Sequence, residues 1–380
     1  MQKSSERLSH FPEYVHSLLG KKIFEVEERT GRRVLNFGLG SPDFPPSKRY
    51  TDKLKEYIDA PGAHLYPGFR SIPEFSKGLI SWYRKRFGVT FEEKELCPLL
   101  GAKEGIAHLS LALLDEGDEA LIPDPGYPVY EGSALLSGAR PVPYQLHSSF
   151  NPIDLEELEK KISRKTKLLW VNFPSNPTGQ IISKKDLAAI VDFARRHGIW
   201  LAYDNAYSEI TFDGVRAPSV LEIPGAFEIA VELGSFSKMF SFAGYRMGWF
   251  VGNPFVIEAV AKIKSQIDSG LWLPFQKLAG FALVNQDEEW HKAMVKSYQM
   301  RRDIILSYLP RLGLAALPPK GGLYLWAAIP SSYKDSAEFV SDILERKRIL
   351  FTPGSAFGKN GKRFVRISFC VDIDRIGEYF

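Results

Sequence analysis

The sequence predicts an α/β protein. It indicates a large domain with a mostly parallel sheet covered by helices, and a smaller α+β domain built from the C-terminal part and the N-terminal segment. From residue 97 onward, strand-like, loop-like and helix-like segments alternate, which is typical of a parallel sheet. The strand-like segments are mostly continuous apolar runs, as in strands that helices cover on both faces. After Gly321-Gly322 the pattern changes to strand, helix and strand, which indicates the smaller domain.

The large domain is predicted from apolar runs of strand length and from helical patterns between them. The predicted strands are Cys97–Leu100, Glu119–Ile122, Pro141–Leu146, Lys167–Phe173, Ile199–Tyr203, Ile229–Leu233 and Met247–Gly252. The predicted helices are Ile72–Phe87, one that opens at Gly101–Gly105, Ile153–Ile162, Asn253–Ile267 and 275–310, the last with a break near Asn285–Asp287. Functional residues are expected in the loops beyond the carboxyl ends of the strands.

The smaller domain is predicted from both ends of the chain. Its elements are a helix at Ile23–Gly31, strands at Val34–Phe37, Leu323–Ile329 and Arg363–Cys370, a helix at Ser336–Arg348 and the start of a last helix at Val371–Phe380. The predicted boundaries are 1–45 for an N-terminal arm and part of the small domain, 46–275 for the large domain and 276–380 for the small C-terminal domain. Because no segment is rich in Gly and Ser like a flexible linker, the domains are expected to pack closely.

Composition excludes several classes of function. The 380 residues carry a net charge of only +4 and no long basic tract, so nucleic acid is not an expected partner. The N-terminal residues are polar and lack the apolar core of a signal peptide, and no stretch has the ~18 apolar residues of a membrane span. The two cysteines, Cys97 and Cys370, have no metal-site spacing, so we expect free thiols, no metal and a cytoplasmic location.

One lysine, Lys238, lies among small hydroxyl and bulky apolar residues in the stretch Gly234–Gly248. Partial burial lowers the pKa of an amine, which makes the amine a usable nucleophile and base. The hydroxyls of Ser235 and Ser237 and the cation Arg246 suit a phosphate monoester. The alternative for the lysine taken alone is an ordinary turn at the end of a strand.

Two polar motifs follow predicted strands. Asn176 lies in an Asn-Pro-Thr-Gly turn, and Asp204 is followed three residues later by Tyr207. An aspartate at the end of a buried strand is costly to bury unless it is paired, and a protonated ring nitrogen is a suitable partner. The alternatives are a helix-capping turn at Asn176 and a helix cap at Asp204.

Two further candidates are anion sites. The backbone N–H groups of Gly101–Lys103 lie where a helix begins, and such groups bind anions. Arg366 has apolar neighbours on both sides in a predicted strand, and its planar guanidinium suits a carboxylate. The alternatives are a plain strand–helix turn for Gly101–Lys103 and a surface ion pair for Arg366.

These motifs resemble those of fold-type I aminotransferases of class I and II, which use pyridoxal phosphate. The matching patterns are S-x-S-K with R-x-G after seven residues, N-P-[ST]-G, D-x-x-Y and R-[IFL]-[SA], in family order from Gly40 to Arg366. The resemblance extends to the branch containing aspartate, alanine and LL-diaminopimelate aminotransferases. Ser71 departs from it, because the family usually has glycine five positions after the tyrosine equivalent to Tyr66.

The resemblance implies a role for each site residue. Lys238 forms a Schiff base with pyridoxal phosphate, Asp204 holds the ring nitrogen and Tyr207 faces the phenolic oxygen of the ring. The other implied contacts are Asn176 at a ring oxygen, Tyr127 on the ring face, Ala102, Lys103, Ser235, Ser237 and Arg246 at the phosphate, Tyr66 at the phosphate of a neighbouring subunit, and Gly40, Asn176 and Arg366 at the substrate. The alternatives for Tyr127 and Gly40 are a core or surface tyrosine and a simple turn.

The implied activity is transamination between an α-amino acid and a 2-oxo acid in a homodimer. Glutamate and 2-oxoglutarate are the expected first pair, and aspartate, alanine or diaminopimelate is expected in the other. A β C–S lyase or another pyridoxal phosphate enzyme of this fold is the alternative, because fold does not fix reaction. A non-enzymatic regulator is disfavoured, since such proteins usually carry a DNA-binding module and only a short arm precedes Gly38.

Overall fold

A seven-stranded sheet forms the centre of the larger part of the molecule. The computed structural model describes residues 4–11, 15–147, 152–374 and 376–380. Its strands are β1 Leu35–Asn36, β2 Leu96–Leu99, β3 Glu119–Asp124, β4 Arg140–Gln145, β5 Thr166–Asn172, β6 Trp200–Asp204, β7 Ala230–Ser235, β8 Gly248–Gly252, β9 Tyr324–Ala328, β10 Ile349–Leu350, β11 Thr352–Pro353 and β12 Phe364–Ser368.

The helices of the described residues flank the sheets. They are α1 Val15–Thr30, α2 Lys48–Ile58, α3 Pro73–Phe87, α4 Ala102–Leu113, α5 Val129–Leu136, α6 Leu155–Glu159, α7 Lys184–His197, α8 Ala226–Ile229, α9 Phe236–Met239, α10 Pro254–Lys264, α11 Leu273–Val284, α12 Glu288–Tyr308 and α13 Ser336–Lys347. Pro254 opens α10 behind the cap Asn253, whose side chain accepts hydrogen bonds from two backbone N–H groups.

The strand order of the large sheet is β2-β8-β7-β6-β5-β3-β4. Strand β8 runs antiparallel to both of its neighbours, and the other strand pairs are parallel. Every residue of β7 and β8 is buried, which explains their continuous apolar sequences. The predicted α/β class with a mostly parallel sheet is therefore confirmed.

The smaller part of the molecule is built from segments near both ends of the described chain. Strands β11, β12 and β9 form an antiparallel sheet, and β1 pairs in parallel with β10. One apolar cluster contains Val26 and Phe37 from the N-terminal segment together with Phe339 and Val365 from the C-terminal part. This packing agrees with an α+β unit built from both ends, while the residue limits of the domains stay predictions.

The predicted last helix at Val371–Phe380 is wrong for the described residues. They contain only a short 3-10 turn at Ile376–Glu378, and residue 375 lies outside the description. The carboxylate of Asp372 accepts a hydrogen bond from the backbone N–H of Asp374 at 2.9 Å. Such a local bond competes with a helix, so the segment turns before the end of the chain.

Two expectations from composition bear on the described residues. Cys97 and Cys370 are both buried free thiols, as predicted. Within the described part of the chain, no helix combines the length and the apolar content needed to cross a membrane. The cytoplasmic location stays a prediction.

Helices α3 and α11 pack with their backbones in close contact. A Cβ atom on Gly78 would lie 2.9 Å from Cα of Gly280, and a Cβ atom on Gly280 would collide with the carbonyl oxygen of Glu74. The side chain of Gln276 on α11 accepts a hydrogen bond from the N–H of Ile72 at 2.9 Å, which fixes the start of α3. Glycine is therefore required at these helix positions despite its low helix propensity.

We expect Gly280→Ala to lower the free energy of unfolding by about 1–3 kcal/mol, because the added methyl group forces the helices apart. Urea unfolding of the purified protein measures the change. Gly20→Ala in α1 is the matched control, since a Cβ atom there meets nothing within 4 Å. That control should be neutral or stabilising by up to about 1 kcal/mol. Equal effects of both substitutions would contradict the packing explanation.

Candidate active site

The carboxyl ends of β5, β6 and β7 open into a cavity of about 320 Å³. The parallel arrangement brings the loops after these strands to one edge of the sheet, as is usual for sites in α/β folds. The predicted site residues that line the cavity are Gly40, Ala102, Lys103, Tyr127, Asn176, Asp204, Tyr207, Ser235, Ser237, Lys238, Arg246 and Arg366. The cavity therefore gathers every predicted site residue except Tyr66.

Lys238 follows β7 on the short helix α9. Its Nζ donates a hydrogen bond to the carbonyl oxygen of Gly40 at 3.0 Å, and it lies 5.6 Å from the ring centre of Tyr207. Burial lowers the pKa of Lys238 to about 8, and the positive charges of Arg366 and Arg246 act in the same direction. About a tenth of the amine is therefore neutral at pH 7, and the neutral amine is the form that acts as a nucleophile or base.

Asp204 ends β6 and is buried. Its Oδ2 accepts a hydrogen bond from the hydroxyl of Tyr130 at 2.7 Å, and its Oδ1 accepts one from the N–H of Ala206 at 3.1 Å. Burial raises the pKa of Asp204 to about 6, although these hydrogen bonds favour the charged form. A turn follows it in place of a helix, so the helix-cap alternative is wrong for this residue.

Arg366 on β12 is a buried cation that forms no ion pair with any carboxylate of the described residues. Its Nη1 donates to Oδ1 of Asn176 at 3.0 Å and its Nη2 donates to the carbonyl oxygen of Gly38 at 2.8 Å. Its Nε has no hydrogen-bond partner in the described structure. Both the surface alternative for Arg366 and the helix-cap alternative for Asn176 therefore fail, and the site is suited to an incoming carboxylate.

A second cationic region lies where α4 begins. No side chain caps this helix, whose N-cap Gly101 has φ +85°. A Cβ atom on Gly101 would collide with the guanidinium of Arg246, and one on Gly248 would lie 2.8 Å from the N atom of Ala102. The two glycines thus let Arg246 and the first turn of α4 come close together, beside the hydroxyls of Ser235 and Ser237. Such a set of donors suits a phosphate dianion.

Tyr66 lies outside the cavity of its own chain. Its side chain is 87% exposed, and it belongs to the loop that precedes α3. At Gly68 this loop packs closely against Gly270, where an added Cβ atom would collide with the carbonyl oxygen of Gly68. A single chain therefore does not bring Tyr66 to the other predicted site residues.

Comparison with known proteins identifies the family. The sequence profile of the family described as aminotransferase class I and II matches residues 32–378.

The chain belongs to the class I and II aminotransferases.

The relatives of this aminotransferase agree with the family assignment. LL-diaminopimelate aminotransferase of Halothermothrix orenii is 38% identical over 379 residues, which cover 99% of this chain and 96% of the relative. Among solved structures, apo-BacF of Bacillus subtilis has a TM-score of 0.94 at 33% identity and covers 100% of this chain and 97% of its own. The aspartate aminotransferase of Rhizobium meliloti has a TM-score of 0.93 at 27% identity, and the match covers 100% of this chain and 97% of the Rhizobium meliloti chain.

As a member of this family, the enzyme is an aminotransferase that uses pyridoxal 5'-phosphate. When bound, this group supplies an aldehyde that condenses with amines and a ring that withdraws electrons from the carbon bearing the amine. The residues present fit it: a partly neutral amine at Lys238, a buried carboxylate at Asp204 and donors for a phosphate around Arg246. Because Gly101 and Gly248 have no side chains, Arg246 and the first turn of α4 can lie close together, as this fit requires.

Sequence reasoning missed three polar residues of the aminotransferase site. The hydroxyl of Tyr130 holds Asp204, and the hydroxyl of Tyr324 lies 3.2 Å from that of Tyr207. Asn172 donates to the carbonyl oxygen of Asp204 at 2.9 Å and accepts from the N–H of Asn176 at 2.8 Å, so it joins two motif loops. The signal for Asn172 was its place at the end of β5, whereas Tyr130 lies in the first turn of α5, where its position gives no such signal.

Three ionisable side chains form a cluster at α4 of the aminotransferase. Side-chain atoms of Glu104, His108 and Asp268 come close enough to hold a metal ion. However, the fully buried ammonium of Lys264 lies 2.7 Å from both Glu104 Oε1 and Asp268 Oδ2. This lysine already supplies the positive charge, so the cluster is best explained as an ion-pair network that supports α4.

Proposed function

We propose that this aminotransferase uses L-glutamate and 2-oxoglutarate as one substrate pair, and aspartate, alanine or LL-diaminopimelate with its 2-oxo acid as the other. The observation that carries the proposal is the buried Arg366, which lines the same cavity as Lys238. Every α-amino acid has the carboxylate that such a cation binds. The name of the Halothermothrix orenii relative supports diaminopimelate as one candidate.

We assign the proton transfer at the substrate to Lys238. Its amine would hold the cofactor, and once an incoming amino acid has taken its place there, the free amine would accept the proton from the substrate Cα. Asp204 keeps a proton on the ring nitrogen, which favours the withdrawal of electrons from Cα. Arg366 and Asn176 hold the carboxylate, so that the Cα–H bond faces Lys238. Pyridoxal phosphate would carry the amino group between two half-reactions, in which water releases the first 2-oxo acid and a second 2-oxo acid takes up the amino group.

A positive charge in the cavity favours a substrate with a second acidic group. Lys103 lines the cavity, whereas Arg70 forms an ion pair with Glu258 on the surface. Of these two cations, Lys103 is therefore favoured to attract a distal carboxylate. Glutamate, aspartate and diaminopimelate each carry such a group, and a site built for a polar group discriminates against analogues that lack it.

A panel of amino donors with 2-oxoglutarate tests the proposed function. We expect glutamate to form, with kcat/KM highest for aspartate, alanine or LL-diaminopimelate. Arg366→Lys should lower kcat/KM about tenfold to hundredfold, since hydrogen bonds to charged groups contribute roughly 1.5–3 kcal/mol. Arg363→Lys is the matched control, because Arg363 donates to the carbonyl oxygen of Pro330, away from the cavity.

Two results of the panel would contradict the proposed function. One is a preference for large aromatic donors by about tenfold or more, which equals ~1.4 kcal/mol in the transition state. The other is release of pyruvate and ammonia in place of glutamate, which would favour the β C–S lyase alternative.

We predict that borohydride reduction fixes pyridoxal phosphate on Lys238 and abolishes the visible absorption of the loaded enzyme. Lys238→Ala should carry no fixed label, while the exposed Lys262→Ala should be labelled like the wild type. Because the neutral amine is the nucleophile, capture by the apo-protein should accelerate as pH rises and level off above about 8. A lysine label on the Lys238→Ala protein, found by peptide mass spectrometry, would refute the assignment.

We also propose a homodimer in which Tyr66 reaches the phosphate site of the other subunit. Its exposure and its distance from its own cavity support this. Light scattering should find a dimer, and Tyr66→Phe should weaken cofactor binding. Mixed dimers of Lys238→Ala and Tyr66→Phe subunits should regain one site of wild-type affinity, since one of their two sites has both residues. A fully active monomer would remove this proposal.

A further inference from the structure

Asp124, at the carboxyl end of β3, binds a loop of the smaller part of the molecule. Its Oδ2 accepts a hydrogen bond from the N–H of Lys359 at 3.2 Å, and its Oδ1 accepts one from the N–H of Asn360 at 3.1 Å. The side chain of Asn360 donates back to the carbonyl oxygen of Asp124 at 3.3 Å. One carboxylate therefore satisfies two backbone donors of the short 3-10 turn at Lys359–Gly361.

Two glycines show how closely the two loops approach. Gly126 donates its N–H to the carbonyl oxygen of Phe357 at 2.8 Å. Gly358 has φ +128°, and a Cβ atom on it would collide with the carboxylate of Asp124. The segments 124–126 and 357–360 are therefore joined by four hydrogen bonds, and we call this contact the Asp124 clamp.

The clamp connects to the substrate-binding cation through Phe357. The ring centre of Phe357 lies 4.7 Å from the guanidinium carbon of Arg366, and that of Tyr324 lies 4.2 Å from the same atom. Phe357 is buried and is held through its own carbonyl oxygen by Gly126. The residue after Gly126 is Tyr127, which lines the cavity. The clamp thus fixes one aromatic neighbour of Arg366 relative to the cavity wall.

We propose that Asp124 is a positioning residue, which keeps Phe357 against Arg366 and thereby strengthens binding of the substrate α-carboxylate. This inference rests on the proposed function, because it takes Arg366 as the carboxylate site. A guanidinium held between aromatic rings is shielded from water, and its interaction with an anion is stronger there. Without the clamp the segment carrying Phe357 loses its tie to β3, and water enters beside Arg366.

Burial of Asp124 agrees with this role. Desolvation raises the pKa of Asp124, while the N–H groups of Asn360 and Lys359 favour its charged form. A partly desolvated carboxylate is unfavourable without its two N–H donors, and those donors lose their acceptor if the carboxylate is removed. In the described structure Asp124 makes no hydrogen bond to a predicted cofactor residue, so its effect is expected at the carboxylate more than at the cofactor.

The test uses two ligands of the loaded enzyme that differ in the carboxylate. 2-Methylalanine has an α-carboxylate and no α-hydrogen, and in tert-butylamine a methyl group replaces that carboxylate. Their Kd values are read from the visible absorption of the bound cofactor. Asp124→Ala should raise the Kd of 2-methylalanine about tenfold, as expected for loss of hydrogen bonds to a charged group. Asp124→Asn, which retains one acceptor, should raise it less.

Controls separate positioning from general damage. The Kd of tert-butylamine and the Kd of pyridoxal phosphate should stay within twofold of the wild type. Asp335→Asn is the matched substitution, because Asp335 also accepts two backbone N–H groups, those of Ala337 and Glu338 at 3.0 Å, at the start of α13. It should leave every Kd unchanged. An equal loss of affinity for both ligands in Asp124→Ala would overturn the proposal.

A double-mutant cycle tests whether Asp124 acts through Phe357. Phe357→Leu should raise the Kd of 2-methylalanine, and adding Asp124→Ala to it should raise that Kd less than twofold further. Additive effects, or an unchanged Kd in Asp124→Ala, would overturn the inference. Failure of the wild type to react with L-glutamate would contradict the proposed substrate pair, while the 2-methylalanine result would still decide the role of Asp124.

Discussion

The site depends on charged groups that are buried without oppositely charged partners. Arg366 has no ion pair among the described residues, and Asp204 is held only by neutral donors. Burial of such groups is unfavourable unless hydrogen bonds compensate, and the neighbouring loops supply these bonds. These unpaired buried charges therefore lower the stability of the fold and favour the binding of charged ligands. The arrangement leaves a buried cation and a buried anion, which suit the substrate carboxylate and the cofactor ring nitrogen of the proposed function.

The parallel strands explain how these charges are brought together. Asp204 pairs in register with Asn172 on one side and with Leu233 on the other. Asn172 then ties the loop of Asn176 to the end of β6, and β7 leads directly into Lys238. Because hydrogen-bonded strands fix their ends relative to one another, three short motifs far apart in sequence share one cavity.

Much of the fold and of the site could be predicted from the sequence, for physical reasons. Continuous apolar runs identify strands covered on both faces, and β8 obeys this rule even though it is antiparallel. Polar residues at or just beyond strand ends, such as Asp204 and Asn176, are visible because their burial is costly. Tyr130 and Tyr324 were missed, because a tyrosine in an apolar helix or strand looks like core and its hydroxyl partner comes from elsewhere in the fold. The end of the chain was mistaken for a helix, since the local bond at Asp372 leaves no periodic signal.

The same physics explains why motifs do not determine the substrate. The groups proposed to meet the shared part of every amino acid, such as Arg366 and Lys238, are held by hydrogen bonds within the chain. Leu39, beside Gly40, is 52% exposed and Tyr66 is 87% exposed, so their surroundings depend on what covers them. In the proposed dimer a second subunit completes these surroundings. In that dimer, selectivity among amino acids depends on residues of both subunits, and no single stretch of sequence contains them all.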